Sequence, residues 1–235
     1  MTPTLTSFAT PQGGVAFLGA ARRNAMRSLQ ALLAVACLFF VAAAGAQELK
    51  EGRHYAVLNP AQPTDAKGKI EVTEFFWYGC SHCFELEPLM QAWSKGKPQD
   101  VVFQRVPALF PGNKWLPETK LYYTLEAMGL VDKLHQQVFD AIHVDRVRMS
   151  DEKTMLAWME SKGVDRKKFE DTYRSFAVQS RAQRSMQLSQ AHSLDGVPAL
   201  IVQGKYKVLS AGSYGELMAN LDKVIAKVRA EQGRK

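Results

Sequence analysis

Cysteine is scarce in this chain, with three in 235 residues, and Cys37 lies within an apolar run, so only Cys80 and Cys83 remain beyond it. That excludes a framework of several disulfides, and a bridge across so short a loop restrains too little chain entropy to act as a staple. A second Cys-x-x-Cys is also missing, which leaves zinc short of its usual four ligands. His135 and His143 would complete a metal site only by accident of folding; they, His54 and His192 are read as core or surface histidines. No stripe of aromatic and basic residues points to nucleic acid. The charged residues alternate in sign along the helical segments, the pattern of solvated faces. Internal repeats and low-complexity segments are absent, which excludes solenoids and largely disordered chains.

The longest apolar run, ALLAVACLFFVAAAGA at residues 31–46, follows Arg22, Arg23 and Arg27 and ends in small residues before Gln47. It falls short of the ~20 apolar residues of a spanning helix. It reads as a secretory signal peptide cleaved after Ala46, in preference to an uncleaved anchor. Cys37 is then a small hydrophobe in a discarded leader. Met26 followed by Arg27 is an alternative start, with residues 1–25 as an upstream extension. Cleavage removes three arginines and leaves 27 basic against 23 acidic residues. An exported chain of 189 residues is long enough for a substantial core.

Along that chain, KIEVTEFFWY (residues 69–78) is rich in β-branched and aromatic residues and reads as a buried strand, with a second at 101–106. Between them, Leu86, Leu89, Met90 and Trp93 recur at helical spacing, so a helix opens at Cys80, with a kink expected at Pro88. From about Lys114 to His192 the pattern is helical only. Pro117 opens one helix closed by Gly129, Leu134, Val138 and Ile142 stripe another, and Ser150-Asp151-Glu152 starts a third. A longer helix from Asp165 is expected to turn Phe169, Tyr173 and Phe176 inward. Two short strands around Gln203-Gly204 read as a hairpin, and Ser213-x-x-Glu216 is a capping box for a last helix. The order predicts an α/β fold interrupted by a helical block: 1–46 leader, 47–112 first α/β part, 113–190 helical insertion, 191–235 second α/β part.

The chemistry concentrates in YGCSHC at residues 78–83. A thiol attacks or leaves well only as the thiolate, and the first turn of a helix offers unpaired amides and the positive end of the macrodipole. Cys80 stands there, Cys83 follows on the same side within bonding reach, and His82 between them adds a possible positive charge. Each effect lowers the Cys80 pKa. A stabilised thiolate is a good leaving group and favours the dithiol, which makes the corresponding disulfide oxidising. Glu74 shares its alternation with Ile70, Val72 and Phe76, so it points toward an apolar layer under the redox helix. There it should resist ionisation and could accept or tune the Cys83 proton. Val197-Pro198 enters a strand as an edge or turn proline.

EFFWYGCSHCFELEP, the helical block, GVPALIVQGKY and the final helix together resemble the DsbA family of periplasmic thiol:disulfide oxidoreductases from Gln47 to Lys235. The resemblance implies a thioredoxin fold with an inserted all-helical domain, Cys80 as the attacked sulfur, Cys83 as the buried resolving one and Glu74 as the buried acid. It also implies a cis Pro198, with Val197 offering its backbone edge to a bound peptide. No cofactor is implied. The partners would be reduced, unfolded exported proteins and a DsbB-like quinone-linked membrane oxidase, and the chain would be a monomer in the periplasm. One departure is Ser81-His82, where the family commonly has Pro-His; Ser81 is expected to tune the oxidising strength. The enzymatic alternative is a disulfide isomerase or reductase, but dimeric isomerases carry an N-terminal dimerisation domain and only 33 residues, Gln47 to Gly79, precede Cys80. The non-enzymatic alternative is a periplasmic metal-binding protein.

Overall fold

The structure, a computed structural model, describes residues 48–112 and 114–233. The leader and its cleavage position lie outside the described residues, and no described helix is long and apolar enough to cross a membrane. A five-stranded sheet runs in the order β1-β5-β4-β2-β3. It comprises β1 (Tyr55–Val57), β2 (Ile70–Phe76), β3 (Val101–Pro107), β4 (Ala199–Val202) and β5 (Tyr206–Val208). β2 and β3 are parallel and the remaining pairs antiparallel. Every residue of β2 is buried, as a central strand covered on both faces requires. Phe75 and Phe76 are almost fully enclosed, each contributing roughly 1.5–3 kcal/mol of apolar burial.

Helix α1 (Ser81–Gly96) carries the chain from β2 to β3 and runs through Pro88 without ending. Its Leu86 and Met90 join Ile70, Val72 and the last helix, α7 (Tyr214–Glu231), in one core cluster. Leu89 departs from the expected stripe and is 41% exposed. Five helices lie between β3 and β4: α2 (Leu116–Ala127), α3 (Val131–His143), α4 (Glu152–Ser161), α5 (Arg166–Tyr173) and α6 (Phe176–Ala191). They enclose a second core cluster to which Phe76, Tyr78 and Cys83 belong. The redox motif is thus packed directly against the helical block.

The helix expected from Asp165 through Phe176 is two helices. Ser175 breaks the run by accepting a hydrogen bond from Val178 N (3.3 Å), and Phe176, as the first residue of the new helix, falls off the inward stripe and is 87% exposed. The hairpin forms as its residues predict, and Ser213 caps the last helix, but the Glu216 carboxylate accepts from Ser210 Oγ (3.2 Å). Gln203 and Gly204 both adopt positive φ, and Lys205 N donates to Val202 O (3.1 Å). A side chain at Gly204 would collide with the Gln62 backbone. Ser213 Oγ accepts from Glu216 N at 3.1 Å. β1 has no expectation behind it: three residues on a sheet edge are too few to show a period.

Candidate active site at the start of the redox helix

β2 ends at Phe76, and the chain turns through Trp77, Tyr78 and Gly79 before α1 begins. Cys80 N donates to Trp77 O at 3.0 Å, closing the turn. The Trp77 indole folds over Gly79, so a Cβ there would strike the ring unless the indole shifted. That ring stacks flat on Trp115, with centroids 4.4 Å apart. Cys80 occupies the helix N-cap in an extended conformation, so its sulfur sits where the first amides of α1 are unpaired. Both thiols are free.

Two cysteines three residues apart meet opposite environments. The Cys80 thiol is lowered from 9.0 to about 6. The Cys83 S–H bond to its sulfur lowers it most, the backbone amides of Cys83 and His82 and the His82 charge add to that, and partial burial opposes them. The Cys83 thiol, 1% exposed, is pushed strongly upward by burial, then by its bond to Cys80 and the charges of Cys80 and Glu74. Sequence reasoning credited the helix start and His82; the structure adds the Cys83 thiol as the largest cause. Ser81 and His82 are exposed on the first turn.

Across from the helix start, the Val197-Pro198 peptide bond is cis. The Cys80 thiol donates to Val197 O at 3.4 Å, so the loop before β4 forms one wall beside the sulfur. Next to that loop a groove is lined by His82, Glu85, Pro198, Leu209, Tyr214 and Leu217.

Beneath the motif lies a buried charged floor. Parallel pairing sets Glu74 beside Arg105, and Arg105 Nε donates to Glu74 Oε2 (3.1 Å). Arg105 Nη2 donates to both oxygens of Glu87, at 2.9 and 3.2 Å. Glu74 and Glu87 are each 1% exposed. The expected apolar surroundings of Glu74 therefore need correction: its neighbours include a guanidinium and a second carboxylate. Desolvation nevertheless prevails over the Arg105 charge and, with repulsion from Glu87, raises the Glu74 pKa from 4.5 to about 7.

A match to the DSBA-like thioredoxin domain model spans residues 102–222. The thiol:disulfide interchange protein DsbA of Pseudomonas aeruginosa is 41% identical over 204 residues, covering 86% of this chain and 96% of that protein. The protein of the same name from Bordetella parapertussis is 43% identical over 203 residues, covering 85% and 94%. The chain belongs to the DsbA family. Among solved structures, Pseudomonas aeruginosa DsbA superposes with a TM-score of 0.76 at 38% identity, covering 80% of this chain and 99% of that one. The Xylella fastidiosa oxidoreductase DsbA gives 0.73 at 27% identity over 78% and 100%. The thioredoxin fold with a helical insertion, expected from the resemblance, is thereby borne out for this DsbA-family chain.

Several residues at the site escaped sequence reasoning. Glu87 lies one helical turn beyond Cys83, a spacing that could have placed it on the same buried face. Arg105 becomes a partner of Glu74 only through strand register, which has no local signal. His135 and His143, read as core or surface histidines, both reach the motif from α3. His143 Nε2 donates to the Tyr78 carbonyl (2.8 Å) and its ring stacks on Phe84, clasping the redox loop on both flanks. His135 Nδ1 lies 2.8 Å from the Tyr78 hydroxyl. Among the described residues, no cluster of three or more His, Cys, Asp and Glu side chains could hold a metal ion.

Proposed function

We propose that this protein is a thiol:disulfide oxidoreductase that donates a Cys80–Cys83 disulfide to reduced exported proteins during oxidative folding. The observation that carries this reading is the split between the two thiols, one held near 6 at the helix start and the other pushed upward by burial. A substrate thiolate attacks the Cys80 sulfur, the Cys80–Cys83 bond breaks, and Cys83 leaves and takes a proton, for which Glu74 is the buried source. A second substrate thiolate then attacks the substrate sulfur of the mixed disulfide. Cys80 departs as a stabilised thiolate, two electrons have passed to the enzyme, and the substrate keeps the new disulfide.

The Cys80–Val197 contact supports a binding role for the Val197-Pro198 edge, where an extended substrate segment would lie, with apolar side chains held loosely in the adjoining groove. Ser81 and His82 tune the Cys80 thiolate from the exposed first turn. The chain acts in the periplasm after cleavage between Ala46 and Gln47, as a monomer without a cofactor, and is reoxidised by a DsbB-like quinone-linked membrane protein. Incubating the oxidised protein with reduced, unfolded ribonuclease tests the reading: stoichiometric transfer of disulfides, with weak rescue of scrambled ribonuclease, is expected. Strong isomerisation with a reducing glutathione equilibrium would establish the isomerase alternative. Tightly held stoichiometric zinc without thiol exchange would establish the metal-binding one.

A further inference from the structure

The charged floor contains two carboxylates, and their donor sets differ. Glu74 receives one hydrogen bond, from Arg105 Nε. Glu87 receives two from Arg105 Nη2 and also faces His135 Nε2, 3.3 Å from its Oε2. His135 comes from α3 and is 4% exposed, and burial lowers its pKa, which favours the neutral ring. A neutral imidazole carries one N–H, so its tautomer decides what Glu87 meets.

The Tyr78 hydroxyl settles that tautomer. Tyr78 is 1% exposed, and its hydroxyl has His135 Nδ1 as its hydrogen-bond partner. If Nδ1 carried the ring proton, the phenol hydrogen would be buried without an acceptor, an arrangement folded proteins avoid. With Tyr78 O–H donating to Nδ1, the proton sits on Nε2 and points its positive dipole at Glu87. The Nε2–H has the Glu87 carboxylate as its partner at 3.3 Å, a contact that is mainly electrostatic, whereas the other tautomer would leave the phenol hydrogen with no acceptor. A protonated Glu87 would turn its own hydrogen toward an N–H, which is repulsive. We infer that the Tyr78–His135 pair is a tautomer lock that keeps Glu87 as the charged partner of Arg105 and leaves Glu74 as the carboxyl of this cluster that takes up and releases a proton.

The groups facing the cluster fit this division. They are Glu74 from β2, Arg105 from β3, Glu87 and Cys83 from α1, Tyr122 from α2, His135 from α3 and Tyr78 from the loop after β2. Tyr78 and Tyr122 stay neutral because burial raises both phenols. Glu74 is the carboxyl whose charge acts on Cys83, so the lock would direct the exchangeable proton to the carboxyl serving the leaving sulfur. Tyr78 and His135 are positioning residues, and the lock matters to turnover only through the role given to Glu74 above.

The test is carboxyl-carbon NMR of glutamate-labelled protein from about pH 5.5 to 8.5, with ring-nitrogen shifts of His135. In the unsubstituted protein, Glu74 should titrate with full amplitude in this range, and His135 should show the Nε2–H form throughout. Tyr78→Phe keeps the ring and removes the lock, so the Nδ1–H tautomer should appear and the Glu74 amplitude should fall to about half. A half-amplitude Glu74 transition or the Nδ1–H tautomer in the unsubstituted protein would overturn the inference even if the variant failed to fold. So would a Tyr78→Phe titration identical to the parent's. Disulfide transfer is a separate readout: normal transfer with the wrong tautomer sinks only the lock, whereas the right tautomer without transfer sinks the proposed function.

Discussion

The rim and the floor of the site differ in how they handle charge. At the rim, Cys80 is partly buried at a helix start, where amide hydrogens and its partner thiol stabilise an anion. On the floor, Glu74 and Glu87 are sealed from water and share one guanidinium, so desolvation makes a second negative charge costly. The same short segment, β2 to the first turn of α1, therefore favours ionisation at one end and resists it at the other. An oxidant needs both: a thiolate that leaves readily outside, and a proton kept in reserve beneath the sulfur that must become a thiol.

The most severe test of this contrast exchanges the roles of the sulfurs. Cys80→Ser should lower disulfide transfer at least about a thousandfold, while Cys83→Ser should accumulate mixed disulfides visible on non-reducing gels. The reverse pattern would contradict the assignment. Next in size is the floor's effect on stability. Glu74 titrates at about 7 folded against 4.5 for the free group. Its favourable contribution is therefore complete below about 4.5 and lost as pH rises through 7. Glu74→Leu should stabilise the reduced protein by on the order of 3 kcal/mol at pH 8 and by far less at pH 4, read from denaturant midpoints. Equal shifts at both pH values would show that the carboxyl is not strained by burial.

At the rim, the ranking of causes can be tested directly. Cys83→Ala removes the largest support of the Cys80 thiolate and should raise its pKa by roughly one to two units, whereas Cys83→Ser retains a donor and should raise it less. His82→Ala, which removes the smallest cause named, should raise it by less than about one unit. Thiolate absorbance against pH distinguishes these, and a larger His82 effect would reverse the ranking. The smallest effect belongs far from both regions: Phe176→Ser should change the unfolding free energy by no more than about 0.5 kcal/mol, because the ring is exposed. A larger loss would restore the inward reading.

Legibility in the sequence followed the range of the interactions involved. β2, α1, the 203–204 turn and the Ser213 cap rest on local chemistry, and their residues announce them. The thiol at the helix start is equally local. The floor is not: Arg105 meets Glu74 across a parallel pair whose connection is a whole helix, and His135 and His143 reach the motif from α3, more than 50 residues on. Buried charge leaves no hydrophobic period, so Glu74 read correctly as inward-facing but incorrectly as surrounded by apolar groups. Phe176 failed for a local reason, since Ser175 restarted the helix and rotated the stripe.

The most direct test of the account is the ultraviolet titration of Cys80 in the reduced protein, with Cys80→Ser as the control that lacks its signal. A thiolate midpoint near 6 is predicted. A midpoint near that of an ordinary thiol, about 8.5, would contradict the claim that this site is built to release its outer sulfur as an anion.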